Sequence, residues 1–387
     1  MRVLLIVNNF PSEGNVQDGV FNLRAAIALR QAGVHVSVLR FVPYGSSFSR
    51  TLRGHRIPRE RYEVDGIVVH VVRGLVGPKR WGLGYLRLTA GPSLARIVED
   101  LNPDIVHAHG LLHAGLLALE SGRPYVVTGH GSETYALPWR RPGLQRLAER
   151  VVRGASTVAA VSRFVAAHLE RLGACDVNVI PNGADERVFF PSERRPSERP
   201  VIFFAGNLVR AKGIFELLAA AAMLDDLAPR VVIAGDGADR RAAALYASER
   251  GIDTQFLGRV AQPEIAAAMR EADVVTLPSY AEGLPTVLCE AMLSGRAIVA
   301  TDVGGIGDIV RDGHTGYIVQ PRDSDALAEA LRRVVGDAEL RVRMEDAAVR
   351  FARQHLTWRS VATRYASLYG KAITACRGES VAGGAAP

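Results

Sequence analysis

The chain has 387 residues, enough for two domains of ordinary size, and 48% of them are hydrophobic, so large cores can be buried. Charged residues make up 22%, and no run of eighteen apolar residues occurs, which argues against a transmembrane helix. The three cysteines, Cys175, Cys289 and Cys376, are far apart; they offer no disulfide framework and no zinc spacing, and fit a reducing cytoplasm.

The net charge of +7 is unevenly spread. Residues 1–190 carry 23 Lys and Arg against 15 Asp and Glu, a net of +8, while the remainder carries 24 against 25. The excess peaks at Arg40, Arg50, Arg53, Arg56, Arg59 and Arg61, which face one acid, Glu60. A basic loop of this kind can be a solvated segment or can touch anionic lipid or a phosphorylated acceptor. No helix-turn-helix, zinc finger or aromatic RNA-binding motif supports nucleic acid as a partner.

The predicted elements alternate from the start. The apolar run 3–7 follows Met1-Arg2 directly and reads as a first strand, too short for a signal peptide. A polar loop over 8–19 leads to a helix over 20–31 that Gly33 ends. Strands are predicted over 34–39, 67–72, 104–107, 125–128, 157–160 and 177–180. Helices are predicted over 83–100, 111–120, 143–153 and 163–171. The segment 191–200, PSERRPSERP, has no apolar face and reads as a linker. Strands then return over 201–205, 230–234, 254–257, 274–277, 297–300 and 317–319. Helices over 214–223, 238–249, 263–270, 325–335, 338–354 and 358–372 accompany them, and a small-residue tail over 377–387 is expected to be disordered. Two doubly wound α/β domains follow, over 1–190 and 201–357.

The stretch 273–301, DVVTLPSYAEGLPTVLCEAMLSGRAIVAT, stands out. It reads strand, loop, helix, strand, with Glu282 before the helix and Glu290 on it among Leu288, Ala291, Met292 and Leu293, where a carboxylate is normally avoided. Pro285 suits the first helical turn, and the amides of Leu284, Thr286 and Val287 would point out of the helix N-terminus as a phosphate cradle. A carboxylate before the helix can accept hydrogen bonds from sugar hydroxyls, and one a turn deeper can grip a ribose diol. A capped helix with a partly solvated Glu290 is the plain alternative.

These residues, E-G-L-P-x-V-L-x-E-A-M-x-S-G with a following S-G-x-x-I-V tail, resemble the acid–seven–acid signature of retaining, family-four glycosyltransferases of group 1 type and GT-B fold. The resemblance spans almost the whole chain. It implies two Rossmann-like domains with a deep interdomain cleft, an acceptor-binding first domain, a nucleotide-sugar-binding second domain, and a last helix, about 358–372, that crosses back onto the first. In that family the first acid contacts the donor sugar, the second the ribose, and the amides between them the diphosphate. These roles pass to Glu282, to Glu290 and to Gly283, Leu284, Pro285 and Thr286.

Other segments carry chemistry by their own residues and by the same resemblance. The loop 15–22, NVQDGVFN, resembles the family's N-terminal glycine loop, making Gly19 a candidate donor contact; a turn glycine is the alternative. No GxGxxG occurs, which argues against an NAD-dependent enzyme. His107, His109 and His113 bring no acid to complete a metal site, so His107 is expected to close a strand and His109 is a candidate acceptor contact. The segment 126–133, VVTGHGSE, resembles the T-x-H-G-S motif whose histidine faces the donor sugar, and His130 takes that catalytic role. In 204–213, FAGNLVRAKG, Lys212 is suited to neutralise a diphosphate leaving group. The family's usual arginine is replaced by Asn207, which leaves Asn207 or Arg210 to substitute for it. Arg259 and Val260, in LGRV, occupy the place where the family grips the base. Gly304-Gly305 resembles the family's G-G-x-x-E-I-V motif, with Gly307 for its proline and Asp308 for its acid, and is expected to border the donor sugar.

The expected activity is transfer of a hexosyl unit from a nucleoside diphosphate sugar to a carbohydrate or lipid-linked acceptor with retention, in cell-surface polysaccharide or glycolipid synthesis. No metal and no cofactor is expected, and the protein is expected in the cytoplasm, peripheral to anionic membrane. A sugar-nucleotide epimerase of the same fold, or a non-catalytic sugar-nucleotide-binding protein, would share the nucleotide grip.

Overall fold

In the computed structural model, residues 1–13, 15–16, 18–44, 60–75, 82–192 and 199–382 are described. The basic positions Arg50, Arg53, Arg56 and Arg59, most of the expected linker, and residues 383–387 lie outside them. The chain forms two compact units, Met1–Pro181 with Trp358–Pro387, and Asn182–Thr357.

The first unit runs β1 (Arg2–Val7), α1 (Val20–Gln31), β2 (His35–Tyr44), β3 (Arg61–Val64), β4 (Ile67–Leu75), α2 (Gly82–Leu101), β5 (Ile105–His109), α3 (His113–Glu120), β6 (Tyr125–Gly129), α4 (Ser132–Tyr135), α5 (Pro142–Gly154), β7 (Thr157–Ala160), α6 (Arg163–Arg171) and β8 (Val177–Val179). The strands form one sheet ordered β3-β4-β2-β1-β5-β6-β7-β8, parallel except for the β3–β4 pair. β1 is central and apolar on both faces, with Leu4, Leu5 and Ile6 fully buried, as a parallel strand between two helical layers must be.

The β3–β4 hairpin is absent from the sequence reading. Asp65 and Gly66 at its turn both take positive φ, 51° and 74°, the twist that suits a two-residue hairpin. Arg30 donates to the carbonyls of both. Arg40, counted above with the basic loop, is 1% exposed and donates to Phe10 O, Tyr62 Oη and Asp18 Oδ2. It is a buried tie between strand and loop, because its β2 neighbours turn it inward and the carbonyl and carboxylate there satisfy it.

The second unit continues with β9 (Val201–Ala205), α7 (Ile214–Ala222), β10 (Arg230–Ala234), α8 (Arg240–Glu249), β11 (Thr254–Gly258), α9 (Gln262–Glu271), β12 (Val274–Leu277), α10 (Thr286–Leu293), β13 (Ala297–Thr301), α11 (Ile306–Ile309), β14 (Gly316–Val319), α12 (Ser324–Gly336) and α13 (Ala338–His355). Its six parallel strands are ordered β11-β10-β9-β12-β13-β14. The order reverses beside β9 and β12, the switch point at whose strand ends α/β sheets bind ligands.

Two boundaries differ from the sequence reading. The units divide at Pro181–Asn182 rather than at a linker over 191–200. The Ala184 amide donates to Leu356 O, Arg270 donates to Val188 O and Phe189 is fully buried, so these residues belong to the second unit. The last helix, α14 (Trp358–Ala382), extends through 377–382, which were expected to be disordered. Its Val361, Ala362, Tyr365, Leu368, Tyr369 and Ala372 recur at helical spacing and pack on Val3, Ile105, Val126 and Ala159 of the first unit's sheet.

Candidate functional site

In the second unit the acid–seven–acid stretch forms a charged cradle at the carboxyl end of β12. After Leu277 the chain turns, and Thr301 Oγ1 donates to Ser279 O at 2.5 Å. Glu282 follows, only 8% exposed. Lys212 Nζ donates to Glu282 Oε1 at 2.5 Å, so residues 70 apart in sequence share one site. The sequence reading gave them separate partners. Here the ammonium covers the carboxylate, because so deeply placed a charge needs a counter-charge.

Gly304 explains how this loop is held. Its φ is +59°, and a Cβ there would lie 1.8 Å from Glu282 O. The Gly305 amide donates to Gly283 O at 3.0 Å. Thus Gly304-Gly305 supports the Glu282-Gly283 backbone from behind. Asn182 adds a second support, its Nδ2 donating to Leu284 O at 3.1 Å. Sequence reasoning passed over Asn182, though its place in Pro181-Asn182-Gly183 after a strand end was a signal.

Pro285 is the N-cap of α10 rather than its first helical residue, with φ −75° and ψ 120°. No side chain caps α10, so the amides of Thr286 and Val287 open its N-terminus, where anions are favoured. Glu290 stands one turn deeper, half-buried, with Gln262 Nε2 at 3.5 Å from its Oε1. Burial pushes its carboxyl up to about 7, against the smaller opposing pull of Gln262.

The remaining second-unit candidates lie on the loops after β9 and β11. Arg210 and Lys212 lie on one 3-10 turn after β9; Arg210 is exposed, its amide donates to Asp239 Oδ2 and its guanidinium lies 5.5 Å from the Phe215 ring. Asn207 is exposed. Arg259 and Val260 follow β11, with Arg259 exposed.

The first unit collects a second constellation, built on histidines and hydroxyls. His109 ends β5 and His130 follows β6, and their rings are 4.9 Å apart. Phe21 lies 6.3 Å from His109 and 5.8 Å from His130. His107 is not at a strand end; it sits inside β5, fully buried, with Nδ1 2.6 Å from Tyr369 Oη and Nε2 2.7 Å from Thr128 Oγ1. Tyr365 Oη lies 3.1 Å from the same Thr128 hydroxyl. Burial holds His107 down at about 3 and His109 well below the usual imidazole range, so both are neutral. With both His107 nitrogens committed to hydroxyls, the histidine run does not present a ligand set. Among the described residues no group of three His, Cys, Asp or Glu could hold a metal ion.

Glu133 joins the loops that carry His109 and His130. A Cβ at Gly110 would lie 2.3 Å from Glu133 Oε1, so the glycine leaves room for the carboxylate. Burial raises Glu133 to about 7, partly offset by the Leu111 amide that it accepts. Gly19 caps α1 at φ +69°, and a Cβ there would lie 2.4 Å from Asn9 O, so chain packing already requires the glycine.

Comparison with known proteins places these two units. The family model "Glycosyl transferases group 1" matches residues 185–351, and "Glycosyltransferase Family 4" matches residues 19–188. The chain is 31% identical over 353 residues to TuaC of Bacillus subtilis, named as a teichuronic acid biosynthesis glycosyltransferase, covering 86% of this chain and 89% of that protein. In fold it is similar to sucrose-phosphate synthase of Thermosynechococcus elongatus, with a TM-score of 0.77 at 20% identity over 97% of this chain and 99% of the other. HepE of Anabaena, solved in complex with UDP-glucose, gives a TM-score of 0.71 at 21% identity over 96% of this chain and all of that one. The extent of the TuaC match and the two parallel-sheet units agree: the chain belongs to the group 1 glycosyltransferases of the GT-B fold.

Proposed function

We propose that this glycosyltransferase moves a hexosyl unit from a nucleoside diphosphate sugar to a carbohydrate or lipid-linked acceptor with retention and without a metal ion. The Lys212–Glu282 pair beside the open N-terminus of α10 carries the reading. An ammonium has three protons; one lies on Glu282, and two remain for diphosphate oxygens. Negative charge grows on the diphosphate as the glycosidic bond breaks, and fixed donors aimed there lower the barrier. Glu282 accepts from hydroxyls of the transferred sugar, Glu290 from the ribose diol, and His130 contributes an imidazole to a sugar hydroxyl. Arg259 and Val260 border the base, and Asn207 or Arg210 assists Lys212. The acceptor hydroxyl attacks on the leaving-group face, and a diphosphate oxygen takes its proton.

HepE's complex with UDP-glucose supports a nucleotide-sugar donor, and TuaC's name supports a polysaccharide product. No helix among the described residues is long and apolar enough to cross a membrane, and a peripheral position at an anionic membrane surface is part of this proposal. A thermal-shift panel of UDP-, GDP- and ADP-sugars in EDTA tests the donor. The right one, at a hundred times its Kd, adds about 2.7 kcal/mol. NMR of the product reads the anomeric configuration; an inverted anomer, or transfer that needs added magnesium, overturns the corresponding part.

A further inference from the structure

Asn22 has no part in the cradle of the second unit, yet it is polar and 2% exposed. It lies in the first turn of α1, next to Phe21. Its Nδ2 donates to Asn9 O at 2.8 Å, which fixes the orientation of the amide. Its Oδ1 is thereby turned to His109 Nδ1, also at 2.8 Å. An amide oxygen only accepts, so the proton of this contact must sit on His109 Nδ1. The tautomer of a neutral imidazole is set by the bond its other nitrogen makes. His109 Nε2 is therefore left with its lone pair.

The surroundings preserve that state. The His107 ring meets His109 edge-on at 4.5 Å, but both His107 nitrogens are held by Tyr369 and Thr128. They cannot compete for the His109 proton. Phe21 lies nearly parallel to His109, with 19° between the ring planes. His109, His130 and Phe21 are all partly exposed, so a ligand can reach them. A bare imidazole nitrogen accepts a hydrogen bond from a hydroxyl and cannot donate one, and an apolar ring suits the C–H face of a sugar.

We propose that Asn22 is a positioning residue that fixes His109 as the Nδ1–H tautomer, so that His109 Nε2 accepts a hydrogen bond from a hydroxyl of the carbohydrate acceptor. The acceptor half rests on the glycosyl-transfer reading above; the tautomer half does not.

The test uses the full chain labelled with ¹⁵N-histidine, with His109 assigned through His109→Gln. Wild type should show Nδ1 protonated and Nε2 bare. Asn22→Asp keeps an accepting oxygen and should keep the tautomer, whereas Asn22→Leu should shift it toward Nε2–H. Methyl α-glucopyranoside, methyl α-mannopyranoside and methyl α-galactopyranoside serve as hydroxylated probes. At least one should move the Nε2 resonance upfield in wild type and in Asn22→Asp, and not in Asn22→Leu. With the donor chosen by thermal shift, Asn22→Leu should raise the KM for that glycoside up to about tenfold, the worth of one neutral hydrogen bond, and leave donor Kd unchanged. An Nε2–H tautomer in wild type overturns the proposal even if the leucine variant fails to fold. So does a correct tautomer whose Nε2 responds to none of the glycosides. If wild type binds no nucleotide sugar while the tautomer follows Asn22 as described, the functional reading fails and the positioning role stands.

Discussion

The two units solve the problem of holding polar groups at a strand end in opposite ways. In the second, Lys212 donates to Glu282 at 2.5 Å, and the loop is propped by Gly304, Gly305 and the Asn182 side chain. In the first, His107 and His109 are neutral, His107 held by two hydroxyls and His109 by an amide. A charged cradle is suited to an anionic ligand and fails when one charge is removed. A neutral network is suited to hydroxyls, and its members are lost one hydrogen bond at a time. The largest consequences of substitution should therefore fall in the second unit.

Lys212→Ala tests this most severely. On the proposed reading it removes a donor to the leaving group, and it should lower kcat by about a hundred- to a thousandfold. It also leaves Glu282, whose side chain is 9% exposed, without its counter-charge. Lys212→Ala with Glu282→Gln should accordingly melt higher than Lys212→Ala alone, although neither is active. Steady-state rates and melting temperatures decide the matter. A single variant that keeps most of its kcat, or melts no lower than the double, would erase the contrast between the units.

Next comes a charge that the first unit avoids. Glu133 rises from its ordinary 4.5 to about 7 through burial. Between those values the folded chain holds a proton that the unfolded chain has released. Stability is then lost as pH rises through that window, and the cost above it reaches at most about 3 kcal/mol. Glu133→Gln keeps an oxygen for the Leu111 amide and cannot ionise. It should match wild type near pH 5 and melt higher than wild type near pH 8. Parallel melts at the two values check the sign; a gap that shrinks with pH contradicts the assignment.

Glu290 tests the same chemistry on the binding side. Burial holds it at about 7, and a carboxylate rather than an acid accepts from both hydroxyls of a diol. Donor binding should tighten as pH rises through about 7. Glu290→Gln should flatten that dependence and raise donor KM about ten- to a hundredfold with kcat little changed, the worth of a hydrogen bond to a charged group. Titration calorimetry with nucleoside diphosphate at pH 6 and pH 8 would show it.

The contrast also explains what the sequence revealed. The parallel strands were legible because residues such as Leu4, Leu5 and Ile6 form continuous apolar runs. The second unit's candidate site could be proposed from sequence because Glu282 and Glu290 sit on one contiguous loop and helix. What escaped was tertiary. Nothing local to Lys212 marks Glu282 as its partner, and the positive-φ contact of Gly304 with Glu282 O needs the folded loop. His107 meets Tyr369 across 262 residues of sequence, and Asn22 meets His109 across 87. Sequence periodicity places such residues on faces and leaves their pairing open. One miss was local: Asp65-Gly66 before Ile67 is a hairpin signal, overlooked beside the basic loop.

The smallest effects should distinguish two tyrosines that belong to one network. Tyr369 Oη is the partner of His107 Nδ1 at 2.6 Å. Tyr369→Phe leaves that buried nitrogen with nothing to bond, at a cost of about 1–3 kcal/mol. Tyr365 Oη meets Thr128 Oγ1 at 3.1 Å, but that hydroxyl keeps His107 Nε2 as a partner when Tyr365 is gone. Tyr365→Phe should cost only the net worth of one hydrogen bond, about 0.5–1.5 kcal/mol. Both rings stay packed in the core of α14 and the first sheet, so neither change opens a cavity. Urea unfolding followed by tyrosine-independent far-UV signals should rank Tyr369→Phe below Tyr365→Phe, and both below wild type, with nucleoside diphosphate affinity unaltered in each. The reverse ranking would mean that Thr128, not His107, depends on the last helix, and the neutral network would have to be read from its other end.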